Sequence, residues 1–111
     1  MNDLKQVELT IEEAEKNIEK AEALTRLFAN SDFKAIVEEG YFQDNSIALV
    51  RRLAFPQFDK PESQNRLQNQ MMGVSQLQMF FSQIMMEGNA AKEAMSSHRE
   101  TLSELLQEGA E

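Results

Sequence analysis

Leu4, Val7, Ile11, Ala14, Ile18, Ala21, Thr25 and Phe28 recur at alternating spacings of three and four residues. Glu and Lys predominate at the positions between them, so a helix over residues 1–29 carries a narrow apolar seam suited to one partner helix. Two small seam residues, Ala14 and Ala21, predict close approach of that partner. Charge adds little. Of the four-residue-spaced pairs Glu12–Lys16, Glu15–Glu19 and Lys16–Lys20, only the first is favourable, by roughly 0.2–0.5 kcal/mol. Packing has to hold this helix.

Over residues 30–60 the pattern shortens. Asn30-Ser31-Asp32 offers cap oxygens for a second helix ending near Glu39, with Phe33, Ile36 and Val37 on one face and Gly40 suited to a left-handed position past its end. Asp44-Asn45-Ser46 predicts another cap, opening a third helix with Ile47, Ala48, Leu49, Val50, Leu53 and Ala54. Phe55-Pro56 stops it, and because the residue before proline is pushed out of the α region, Phe55 is expected to leave the helix and bury its ring. Phe33, Tyr41, Phe42, Phe55 and Phe58 together predict an aromatic hub.

Pro61, in the first turn after Asp59-Lys60, predicts the start of a long helix over 61–88, weakened by about 1 kcal/mol at Gly73. Gly88-Asn89 is expected to end or bend it. A last helix, 89–108, repeats the period of the first with Ala91, Met95, His98, Leu102 and Leu105. The expected fold is all-α and a single domain over 1–111: an elongated bundle or hairpin whose N- and C-terminal helices pair antiparallel, with a long central helix and two short helices forming the hub. The same seams fit pairing within one chain or between two.

The central helix has two apolar sides. Leu67, Gln70, Met71, Val74, Leu77, Phe81, Ile84 and Met85 fall within an arc of about 140°, an ordinary core face. Met72, Met79 and Met86, seven residues apart, project nearly opposite and share their stripe with Gln68, Gln76 and Gln83. From Leu67 through Met86 no side chain is charged, whereas a solvated helix face in this chain uses Glu and Lys freely. The back of the helix is therefore expected to be covered, either by other helices of the chain or by a second copy or foreign protein, for which Met72, Gln76, Met79, Phe80, Gln83 and Met86 are the candidate interface.

Composition narrows the function. With no Cys among 111 residues, disulfides, thiolate metal sites and Cys nucleophiles are excluded. A net charge of −8 disfavours direct binding to nucleic acid or an anionic membrane, and no apolar run reaches the length of a membrane span or signal segment. A soluble, intracellular protein is expected. The charge is concentrated toward the ends, −3 over 1–29 and −3 over 89–111, so an acidic mimic of DNA is an alternative, opposed by the bases interleaved throughout.

Candidate chemistry is sparse. His98 lies on the seam of the last helix, with Ala94, Met95, Thr101 and Leu102 as its neighbours one turn away and no carboxylate to orient it. Paired acids such as Glu12-Glu13 and Glu38-Glu39 point about 100° apart on a helix and form no dyad. Arg51-Arg52, the one basic doublet, could grip a phosphate or an acidic partner surface, or simply sit at a helix C-terminus where cations are favoured. No phosphate loop, metal spacing or nucleophile elbow occurs, so neither enzymatic activity nor a cofactor is expected.

The stretch SDFKAIVEEGYFQDNSIALVRRLA over 31–54, the Pro-containing linker, QLQMFFSQI at 76–84 and GNAAKEA at 88–94 together resemble small helical proteins encoded by tailed bacteriophages, a likeness spanning about residues 24–99. The resemblance implies a phage accessory or virion-associated protein that acts through binding and is made in a bacterial cytoplasm; it carries over no catalytic residue. The expected function is non-enzymatic protein–protein interaction in virion assembly, as a homo-oligomer. The alternative is an inhibitor of a host enzyme or defence complex.

Overall fold

The structure, a computed structural model, describes residues 2–110. It is all-α, with no strand among the described residues. The elements in order are α1 (Asn2–Ala29), α2 (Ser31–Phe33), a π-helical stretch (Lys34–Asn45), α3 (Ser46–Arg52), a 3-10 turn (Pro56–Phe58) and α4 (Pro61–Ala110). The chain divides into two compact units, a terminal one formed by residues 2–25 and 83–110 and a central one, Arg26–Ser82.

In the terminal unit α1 and the end of α4 run antiparallel: Glu15, Ala21 and Thr25 in turn meet Arg99, Gly88 and Met85. Ile11, Ala14, Ala21 and Leu24 are buried on α1, facing buried Ile84 and Ala91 on α4. The seam is the expected one except at one position. Thr25 is exposed and Leu24 is buried instead, because both fit the three-four spacing and the larger apolar side chain gains more from burial. The Thr25 hydroxyl donates to the Ala21 carbonyl of its own helix at 2.9 Å.

Gly88 does not end a helix. The expected boundary between helices 61–88 and 89–108 is absent, and α4 is continuous for 50 residues. Gly88 is buried, and a Cβ there would run into the Ala21 Cβ and lie 3.3 Å from the Asn17 carbonyl oxygen. Its missing side chain lets two backbones approach, a use of glycine separate from chain reversal.

In the central unit, Asn30 caps α2 as expected, its Oδ1 accepting the Phe33 N–H at 3.0 Å. Helical winding then continues without a break to Arg52. Gly40 has no positive φ, and Asn45, at φ −64° and ψ −40°, is itself helical with no side-chain cap bond. The expected stop at Gly40 and the expected cap at Asp44-Asn45-Ser46 are thus both corrected to a wider π-type winding, in which a Cβ on Gly40 would come within 3.1 Å of the Ala35 carbonyl oxygen.

Leu49 is fully buried, at 0% exposure, and packs with Leu67 and Val74 of α4, with Phe42, Leu53, Phe58 and Met71 around them. The aromatic hub also differs from expectation. Phe81 of α4 sits at its centre, edge-on to Phe28, Phe33 and Phe42 at centroid distances of 5.4, 6.2 and 6.1 Å. Tyr41 and Phe55 stand at the rim. Phe55 does leave the helix, at φ −78° and ψ 132°, but its ring stays 44% exposed, leaning on Phe58 at 6.5 Å while Phe58 packs on the core cluster. Gln64 closes the connection: its amide donates to the Leu53 and Phe58 carbonyls at 3.1 and 2.6 Å, tying the 53–58 segment to the first turn of α4.

Candidate protein-binding surface

Within the central unit, α4 turns Leu67, Met71, Val74 and Leu77 toward the core, all buried or half-buried. Its opposite side carries Met72, Gln76, Met79 and Phe80, and it is left open by the described residues: Met72, Met79 and Phe80 are 58%, 69% and 55% exposed. In the terminal unit, Gln83 and Met86 are exposed likewise, with Met86 at 71% and the Gln83 amide donating to Glu87 Oε1 at 2.9 Å. Cover from the chain's own helices is therefore ruled out for these side chains. The packing explains it. α2, the π-helical stretch and α3 engage the Leu67-to-Phe81 face of α4; α1 meets Phe81 through Phe28 and, in the terminal unit, meets the face containing Ile84, Gly88 and Ala91.

A methionine or phenylalanine left in water forfeits roughly 1.5–3 kcal/mol that burial would return. Single exposed apolar residues are normal on soluble proteins; a run of them along one uncharged helix face marks an interaction surface. Periodicity located this stripe. It did not reveal a second set of exposed apolar side chains, Ile36, Ile47 and Val50. Ile47 and Val50, three residues apart, share the outer side of α3 while Leu49 faces inward, an assignment that depends on which side of α3 meets α4.

Arg51 and Arg52 both lie exposed in the last turn of α3, where the partial negative charge of the helix end favours cations. The two diverge in surroundings. Arg52 lines a recess of about 120 Å³ together with Phe58, Ser63, Arg66, Leu67 and Gln70; Arg51 does not. Arg66, spaced along α4 with Ser63 and Gln70, was not legible as a partner of Arg52, because the two come together only once α3 packs on α4 through Leu49, Leu67 and Val74.

His98 is half-buried on the α4 seam of the terminal unit. Among the described residues no group of three or more His, Asp or Glu side chains is placed to hold a metal ion, and no helix is long and apolar enough to cross a membrane. The shallow groove of the terminal unit is lined by Ala14, Ala90, Ala91 and Ala94 with Thr10, Glu13, Asn17 and Glu87, and follows from the small side chains where α1 and α4 approach.

Charge divides sharply between the units. The central unit holds six acidic and six basic side chains, while residues 1–25 and 83–111 hold thirteen and five, and so carry the whole net charge of −8. No protein-family model, no curated protein and no solved structure matches the chain.

Proposed function

We propose that the protein is a non-enzymatic interaction protein that self-associates or binds a protein partner through the α4 stripe, and that it serves as a virion-associated or assembly accessory protein of a bacteriophage, made in the bacterial cytoplasm. The carrying observation is that Met72, Met79 and Phe80 stay in water on a helix face without a single charge between Leu67 and Met86. Methionine and glutamine suit such a face, the one adaptable in shape and the other able to pair across helices. The phage assignment rests on the resemblance of residues 24–99 alone.

Magnitudes set what the surface needs. Met72, Met79 and Phe80 are only 58%, 69% and 55% exposed, so burying the rest returns on the order of 3–5 kcal/mol, which the cost of association, roughly 4–15 kcal/mol, consumes. A lasting complex needs more apolar contact than these three side chains supply. Sedimentation equilibrium of the full chain tests the reading. An oligomer that Met72→Lys/Met79→Lys converts to a folded monomer supports self-association; a monomer that keeps partner capture unchanged in the double variant sinks the stripe.

A second reading draws on the charge division. A unit carrying thirteen acids against five bases is an acidic surface of the kind an inhibitor presents to a basic nucleic-acid-binding groove. Here the protein acts by blocking a host enzyme or defence complex. Salt dependence separates the two: the acidic reading requires binding that weakens steeply with added salt, the stripe reading binding that does not.

A further inference from the structure

The recess between α3 and α4 brings Arg52 and Arg66 together from separate elements. We propose that it is a binding site for a single oxyanion group, a carboxylate or a phosphate, held by the guanidinium groups of Arg52 and Arg66 with Ser63 and Gln70 as neutral donors. This reading is independent of the α4 stripe.

Several observations converge on it. No carboxylate lines the recess, and among the described residues the one ion pair joins Arg99 to Glu15, leaving Arg52 and Arg66 without an acidic partner. Two cations facing one recess repel each other, and an anion between them turns that repulsion into attraction. Guanidinium groups present planar forks of donors that match carboxylate and phosphate oxygens. Ser63, Arg66 and Gln70 follow at spacings of three and four, so they share one face of α4 and line the same recess.

The surroundings favour the same ligand. Leu67 is buried beneath the recess and Phe58 walls it, so water is partly excluded and charge-assisted hydrogen bonds are strengthened. The Gln64 amide, bonded to the Leu53 and Phe58 carbonyls, holds the segment after Arg52 against the first turn of α4, so the backbone positions that carry the two arginines are tied together before any ligand arrives. The unit has equal numbers of acids and bases, and no net negative charge of its own opposes an anion. At about 120 Å³ the recess is well below the roughly 300 Å³ at which pockets for drug-sized ligands begin, so it takes one oxyanion group and not a whole nucleotide.

The test is NMR of the arginine side-chain Nε–H signals in the full-length protein, titrated with sodium phosphate and, separately, with sodium acetate, at ionic strength held constant with sodium chloride. Saturating shifts at Arg52 and Arg66 are expected, with a dissociation constant on the order of millimolar for one of the two anions. Arg52→Gln and Arg66→Gln should each weaken binding at least tenfold, and Arg52→Lys less. Arg51→Gln, one residue away but outside the recess, should bind as the parent does. All three arginines are exposed, so each variant should keep its helical circular dichroism. The stronger anion identifies the ligand as carboxylate or phosphate. Shifts that never saturate, that chloride alone reproduces, or that Arg51→Gln abolishes as fully as Arg52→Gln overturn the site.

Discussion

Gly88 of α4 and Ala21 of α1 meet so closely that a methyl group on Gly88 would occupy the space of the Ala21 Cβ. The two residues set the separation of the antiparallel pair in the terminal unit, and neighbouring seam residues pack at the distance they allow. Gly88→Ala should therefore destabilise the protein by about 1–3 kcal/mol, since backbone of both helices must shift. Gly73, on the same helix, has nothing within 4 Å of where its Cβ would stand. Gly73→Ala should stabilise by about 0.5–1 kcal/mol through helix propensity alone. Urea denaturation followed by circular dichroism measures both, and equal signs for the two substitutions would refute the assignment of Gly88 as a spacer.

Leu49 and Val50 are adjacent and similar in chemistry, yet one is wholly enclosed and the other faces water. Leu49→Ala should cost about 2–5 kcal/mol, because the cavity it leaves is lined by Leu67, Val74 and the rings around them. Val50→Ala should stay within about 0.5 kcal/mol. Thermal melts of the two variants, run side by side, check the orientation of α3; a reversed order would mean that α3 presents its other side to α4.

Glu15 and Arg99 form the ion pair that joins α1 to α4, at 3.4 Å with both side chains exposed. Exposure and salt screening leave such a pair worth little, so Glu15→Gln, Arg99→Gln and the double variant should each change stability by less than about 1 kcal/mol. The coupling energy from the double-mutant cycle is the measurement, and a value above about 2 kcal/mol would contradict it.

Gln64 satisfies two carbonyls at the turn between α3 and α4. Gln64→Leu removes both donors while keeping bulk, and should cost about 1–3 kcal/mol. Hydrogen exchange adds a spatial check: protection should fall first around the 3-10 turn and the opening turns of α4, with residues 2–25 little changed.

Much of this architecture is legible along the chain. The three-four spacing from Leu4 to Phe28 marked the α1 seam, Asn30 and Pro61 marked helix starts, and the uncharged run from Leu67 to Met86 marked a second apolar side of α4, expected to be covered, that the chain's own helices leave exposed. These features are local: periodicity, a cap oxygen and a proline nitrogen act within a few residues of themselves. What tertiary structure alone decided depends on distant neighbours. A glycine reads as a terminator until a second helix is placed against it, so Gly88 became a spacer only because Ala21 is there. Leu24 displaced Thr25, Phe81 took the centre of the aromatic cluster, and Arg52 gained Arg66 by the same logic. The net charge of −8 is a property of composition; that it gathers at one unit follows from folding residues 2–25 onto 83–110. Local physics selects the helices, and only contact between them settles which face each one spends on the core and which remains for a partner.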